Sequence, residues 1–190
     1  MDIDTGAKKI KSIVNQLLKN QGIVLVGIAG GTSSGKTYLA RKLNYSIISI
    51  DDYYKGRNNM VNDNYDHPHA LELNLLKKHL LLLKQNKSIK KPIYDFTTHL
   101  RKGYETFRPS KVIVVEGIFA LSNIFNAIFD VKVFVDAPRK TRLARRIERD
   151  ERERGRIGNS VIEMFNSTVE PMHIKYVLPA KEHADIVIRN

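Results

Sequence analysis

The sequence predicts a doubly wound α/β fold carried by a parallel sheet of five strands. Three observations lead there. Five short apolar runs, at 23–28, 46–50, 112–115, 131–135 and 185–188, have the composition of strands buried on both faces. Helical stretches at 38–43, about 71–85, 121–129 and 138–154 separate most of them. Strands that alternate with helices build a parallel sheet covered on both sides, and right-handed crossovers leave the doubly wound topology. A glycine-rich segment also joins the first run to the first of these helices.

Along the chain, residues 7–20 set Ile10, Ile13, Val14, Leu17 and Leu18 on one helical face. The N-terminal stretch 1–21 is therefore expected to be a helix packed on the domain, with a membrane-surface role as the weaker alternative. The first strand is followed by Gly30-Gly31-Thr32-Ser33-Ser34-Gly35-Lys36-Thr37, a G-x-x-x-x-G-K-T pattern. A strand that breaks into glycines and then a helix makes a phosphate cradle. Backbone N–H groups turn inward, and the helix N-terminus adds partial positive charge. Lys36, expected on a solvent-facing loop, would reach the β- and γ-phosphates, and the Thr37 hydroxyl would ligate Mg²⁺. In the stretch 71–85, Leu73, Leu76, Leu80 and Leu83 share a face, as core packing requires. Residues 87–111 break the alternation. Pro92-Ile93-Tyr94-Asp95-Phe96 and Tyr104-Glu105-Thr106-Phe107, with Gly103 between, read as a β-hairpin insert near the ligand end of the sheet. Residues of about 139–160 are expected to form an arginine-rich lid, and 1–190 reads as one domain of the P-loop NTPase type.

Composition bounds the function. There is no cysteine, so disulfides and cysteine metal sites are excluded. No apolar run approaches a membrane span, and the N-terminus Met1-Asp2-Ile3-Asp4 lacks an apolar signal core, so a cytoplasmic protein without a membrane partner is expected. The net charge of +12 suits nucleic acid, a membrane surface or a polyanionic small substrate alike. Much of it is local: between Arg139 and Arg156 lie eight arginines and Lys140.

Ligands of open α/β sheets bind at the carboxyl ends of the strands. Asp51 and Asp52 follow the second strand there, and Glu116 with Gly117 follows the third. Two acidic sites serve two jobs, one holding a metal and one taking a proton from an attacking hydroxyl. The competing reading of Asp51-Asp52 is a helix cap or solvated turn. Arg142, Arg146, Arg149 and Arg152 fall at helical spacing and run into Arg154-Gly155-Arg156. Mobile arginines stabilise the charge that spreads over a transferring phosphoryl group, and Gly155 would serve as hinge. The alternative is a solvated face paired with Glu148, Glu151 and Glu153. A duplex-binding helix is a third reading, against which the interleaved glutamates weigh. His67-Pro68-His69 reads as a structured loop. His99, beside Tyr94 and Phe96 in the insert, fits either a base-stacking pocket or hairpin packing.

Together these segments resemble the uridine/cytidine kinase family, within the larger group that includes phosphoribulokinase. The resemblance covers roughly 22–188. It rests on Gly30–Thr37, Asp51-Asp52-Tyr53-Tyr54-Lys55, Tyr65-Asp66-His67-Pro68, the run from Pro92 to His99, Val115-Glu116-Gly117, Arg145-Arg146 through Arg154-Gly155-Arg156, Leu178-Pro179 and Ala184-Asp185. It implies transfer of the γ-phosphate of ATP (or GTP), with Mg²⁺, to the 5′-hydroxyl of uridine or cytidine. By position it makes Asp51 the general base and Asp66 the holder of ribose hydroxyls. Tyr65, Tyr94, Phe96 and His99 match the base pocket. Arg146, Arg149, Arg154 and Arg156 match the lid, and Glu116 a magnesium-site carboxylate. Two departures are visible. Met164 stands where related pyrimidine kinases carry a glutamine near the base. The sequence given also ends soon after the last strand, where relatives often continue into a helix, and the N-terminal helix is expected to fill that space. The connection from Tyr54 to Tyr65 looks short. The expected partner is a small-molecule nucleoside, nucleic acid is disfavoured, and a homo-oligomer is left open. Two other functions remain at this point: a kinase of another ribose-containing or sugar-like metabolite, and a nucleic-acid-dependent P-loop ATPase.

Overall fold

In the computed structural model the described residues are 1–56 and 64–190, without the side chain of Arg154. The strands in chain order are β1 (Val24–Gly30), β2 (Ser46–Ser49), β3 (Ile89–Asp95), β4 (Leu100–Phe107), β5 (Val112–Glu116), β6 (Val131–Asp136) and β7 (Ile186–Arg189). Five of them form one parallel sheet in the order β2-β5-β1-β6-β7. The helices are α1 (Ile3–Leu17), α2 (Lys36–Leu43), α3 (Leu73–Lys84), α4 (Arg139–Arg154) and α5 (Gly158–Met164). Both faces of β1 are covered, which explains its unbroken apolar sequence. Successive side chains alternate between the two faces. Val24, Val26 and Ile28 join Ile10 and Val14 of α1 and Leu39 of α2 in one core. Leu25 and Ala29 face the other, with Leu76, Leu80 and Leu83 of α3. The sheet is the parallel, doubly wound α/β sheet read from the sequence.

Helix α1 begins earlier than the apolar spacing predicts. The Asp2 carboxylate accepts hydrogen bonds from the backbone N–H and the hydroxyl of Thr5, both at 2.9 Å, and so caps the helix. Its buried face is accordingly Ile3, Ala7, Ile10 and Val14. That face lies in one core with Val133, Val135, Ile186 and Ile188 of β6 and β7.

The helix expected over 121–129 is not there. Only a short 3₁₀ turn, Asn123–Phe125, forms. Ser122, Asn123 and Asn126 favour turns over helix interiors. The segment is pinned instead by Phe129, whose ring fills the space beside Gly27, and by Asp130, whose carboxylate accepts the Leu25 N–H at 2.7 Å.

β3 and β4 pair as an antiparallel hairpin outside the main sheet, with an irregularity in register between Ile93 and Tyr94. Lys91 ties the hairpin to the short turn Ile50–Tyr53 through Asp52, and to β4 through Glu105. After α5 the chain continues through a π-helical turn, Phe165–Val169, a short helix, Glu170–Met172, a second π-helical turn, His173–Val177, and a 3₁₀ helix, Leu178–His183. Each π turn adds a residue and breaks the helical period, so the sequence pattern does not display this segment. Among the described residues, no helix is long and apolar enough to cross a membrane.

Candidate active site

The loop after β1 turns at glycines. Gly30 has φ +148°, and a side chain on it would strike the Val135 carbonyl; Gly35 has φ +103°. Ser33 also lies in the left-handed region, at φ 55°. Thr32, Ser33, Gly35, Lys36 and Thr37 line a cavity of about 560 Å³. Gly30 and Gly31 shape the loop behind it, and Ser34 is fully buried.

Lys36 departs from its expected place. It is the first residue of α2 and is buried, and its ammonium donates to the Gly31 carbonyl at 2.8 Å. Burial holds its pKa below the ordinary lysine value, while the charges of Glu116 and Asp51 oppose that shift.

Glu116 ends β5 beside this cavity. Its carboxylate accepts from the Thr37 hydroxyl at 3.2 Å and from the Ser49 hydroxyl at 3.3 Å. Among the described residues there is no cluster of three or more histidine, aspartate or glutamate side chains that could hold a metal. An all-protein cage is not what magnesium needs. It takes one or two protein oxygens and completes its shell with water and substrate phosphates. Thr37 and Glu116 offer hard oxygen donors of that kind next to the phosphate loop, so the residues fit. His67 and His69 make a structured loop, with the His67 Nε2 3.0 Å from the Tyr176 hydroxyl and the His69 N–H donating to His67 Nδ1.

A second cavity, of about 350 Å³, adjoins the first. Tyr65, Asp66, Phe96 and His99 line it, as do Arg146, Arg149 and Arg156. The rings interlock: Tyr54 lies 5.4 Å from Tyr65 and 5.3 Å from Tyr94, and Tyr65 lies 5.1 Å from His99. His99 takes φ 57° at the hairpin turn, a conformation unusual for a non-glycine residue and found at constrained sites. Tyr94 stands one layer back, buried against Tyr54 and Phe96, and does not line the cavity. The sequence reading missed Tyr54, Asn64 and Thr168, which do. Tyr54 had a signal, its place two residues after an acidic pair at a strand end. Asn64 and Thr168 had none.

Asp51 lines both cavities, together with Thr32, Ile118 and Arg149. Asp52 points away and binds Lys91.

Arg146 and Arg149 of α4, with Arg156 just beyond it, converge on a carboxylate that the glutamate-pairing reading passes over. Asp150 is fully buried. Its oxygens accept from Arg149 at 2.7 and 2.9 Å and from Arg156 at 3.1 Å, with the Arg146 Nε at 3.6 Å. Its backbone carbonyl accepts the Arg156 N–H at 3.2 Å, while Gly155 closes the helix in the left-handed conformation. Arg146 also donates to the Thr32 hydroxyl of the phosphate loop at 3.2 Å. Arg152 pairs with Glu153 at 2.7 Å. The side chain of Arg154 lies outside the described residues, as does most of the connection from Tyr54 to Tyr65, at 57–63. Met164 borders the aromatic cavity, and its sulfur lies 3.7 Å from both Arg146 Nη2 and Arg156 Nη1.

A family model described as Phosphoribulokinase / Uridine kinase family matches residues 45–190. The chain belongs to that family. Among members of the phosphoribulokinase/uridine kinase family, a uridine kinase of Alkaliphilus metalliredigens is 42% identical over 179 residues, covering 87% of this chain and 86% of its own. A uridine kinase of Staphylococcus aureus is 40% identical over 178 residues, with 86% of each chain covered. Solved structures share the fold. One, described as a candidate fructose transport system kinase from Silicibacter sp. TM1040, has a TM-score of 0.80 at 16% identity and covers 98% of both chains. Another, described as a candidate uridine kinase from Bacillus stearothermophilus, has a TM-score of 0.61 at 20% identity and covers 95% of this chain and 99% of its own.

Proposed function

We propose that the chain is a uridine/cytidine kinase, transferring the γ-phosphate of ATP (or GTP) to the 5′-hydroxyl of uridine or cytidine to give UMP or CMP. The observation that carries this reading is the position of Asp51, on the wall shared by the phosphate-loop cavity and the aromatic cavity. A hydroxyl held in one and a phosphoryl group held in the other meet at that carboxylate. The 40–42% identity to uridine kinases supports the choice of acceptor.

In this mechanism Tyr65, Phe96 and His99 enclose the base and Asp66 holds the ribose hydroxyls. Asp51 accepts the proton of the 5′-hydroxyl as its oxygen bonds to phosphorus. Lys36, Arg149 and Arg156 stabilise the charge that spreads over the transferring group, a role the family resemblance also gives Arg154. Thr37 and Glu116 would hold Mg²⁺, which neutralises phosphate charge when bound. Residues 1–190 act as a single kinase domain, with 87–111 as the insert that builds the acceptor pocket and about 139–160 as its lid. The enzyme works in the cytoplasm in pyrimidine salvage, on a small-molecule nucleoside and without nucleic acid or membrane.

Met164 favours a second reading, a kinase of another ribose-containing metabolite. A thioether tied to two guanidinium groups offers the base no amide. A panel of acceptors, scored for ADP release and for phosphorylated product, decides between them. Uridine and cytidine should lead the panel, and DNA or RNA should leave turnover unchanged. A purine nucleoside or a sugar at the head of the panel would replace the first reading with the second.

A further inference from the structure

Behind the phosphate loop lies a buried ion pair that the proposed mechanism does not use. Arg142 of α4 is almost fully buried, and its Nη2 donates to both oxygens of Glu170, at 3.0 and 2.9 Å. Its Nε donates to the Ala137 carbonyl at 3.1 Å, and its guanidinium lies 5.7 Å from the ring centre of the fully buried Phe165. The side chain therefore has little freedom. Glu170 is brought inward by the irregular helix that carries it. With π-helical turns on either side, Phe165, Val169, His173 and Val177 all face the interior.

The far side of this cluster is the loop itself. A Cβ on Gly31 would stand 2.9 Å from Arg142 Cδ and 3.0 Å from His173 Cε1. Gly31 is thus packed directly on Arg142 and His173, while its carbonyl takes the Lys36 ammonium from the other direction. Burial, with the nearby Arg142 charge, pushes the pKa of His173 down to about 4, so at neutral pH it adds no second positive charge against the loop.

We propose that Arg142, fixed by Glu170, is a positioning residue for the phosphate loop: it braces Gly31 from behind and so sets where Lys36 meets the donor phosphates. A buried arginine with two hydrogen bonds to one carboxylate cannot drift without breaking a desolvated pair. The loop it supports must hold its geometry to a fraction of an ångström for phosphoryl transfer. The proposal rests on the reading of this loop as the donor site and does not depend on which acceptor is used.

The test is titration of Mg-ATP into the full chain without acceptor, followed by calorimetry, together with steady-state kinetics. Arg142→Met should weaken ATP by about tenfold or more, and Arg142→Lys should recover part of that loss. Glu170→Gln is nearly isosteric and should fold. It should weaken ATP by a few-fold and raise KM for ATP, with KM for uridine unchanged within about twofold. Lys42→Ala removes an exposed pair with Asp4 near the C-terminal end of α2 and serves as control, with ATP affinity unchanged within about twofold. A lower melting temperature with wild-type ATP affinity in Glu170→Gln and Arg142→Lys would overturn the proposal, leaving the pair a structural tie. A wild-type chain that binds ATP but phosphorylates neither uridine nor cytidine would overturn the acceptor reading instead, and the same ATP affinities would still judge the brace.

Discussion

Asp51 and Asp52 are adjacent in the sequence but face different surroundings. The first opens onto both cavities, and the second is bound to Lys91 of the hairpin. Asp51→Asn keeps the shape but cannot take a proton, and single-turnover transfer should fall by about 10²–10⁴-fold with nucleoside affinity little changed. Asp52→Asn should spare the chemical step far more and lower the unfolding midpoint, because it removes the charge opposite a buried lysine. A crippled Asp52→Asn beside an active Asp51→Asn would place the base one residue along. Met164→Gln is expected to lower KM for uridine, since it puts an amide on the pocket wall; measured KM values and substrate ranking for both proteins check it. The aspartate pair could be found from its place at a strand end. That Asp51 is the one facing the site was expected from the family resemblance; what holds Asp52 aside, Lys91 thirty-nine residues away in sequence, could not be read.

Helix α4 shows what an element can hide. Its spacing reveals arginines along one side, and the glutamates beside them suggest their partners. In the structure Asp150 collects three of those arginines, and it can do so only because Gly155 turns the chain back and brings Arg156 to the same carboxylate. Arg156→Ala should therefore lower kcat more than it raises KM for the nucleoside, as expected for charge stabilisation felt mainly in the transition state. Steady-state constants equal to wild type would reduce Arg156 to a helix-terminal salt bridge. The segment 158–177 was the least legible element. Its two π-helical turns bury Phe165, Val169, His173 and Val177, and no regular helical period announces them.

Across the whole molecule the sheet was the most legible part. Parallel strands buried on both faces must be apolar throughout, and a phosphate loop must carry glycine where φ is positive. The site was legible where chemistry dictates residue type, as at Lys36, Thr37, Glu116 and Asp51. It was obscure where a side chain is recruited by the fold alone, as with Thr168 or Asn190, whose amide reaches the Ser34 carbonyl at 2.8 Å. Helix α1 belongs to the core of the molecule rather than to its site. Ile10 is fully buried between α1 and the sheet, so Ile10→Ala should destabilise the protein by about 2–5 kcal/mol in chemical denaturation. Its kinetic constants at 25 °C should stay at wild-type values.

A carboxylate on a shared wall does not choose its proton donor. Before a nucleoside arrives, the aromatic chamber beside Asp51 is open to solvent, and a water molecule standing there presents the same O–H that a 5′-hydroxyl would. On the proposed function, this architecture would carry its own side reaction, slow hydrolysis of the donor without an acceptor. Phosphate release from ATP alone should be measurable, should fall when a non-reactive 5′-deoxynucleoside fills the chamber, and should fall again in Asp51→Asn. On that reading, fidelity would be a matter of occupancy: the acceptor would protect the donor from water simply by taking its place.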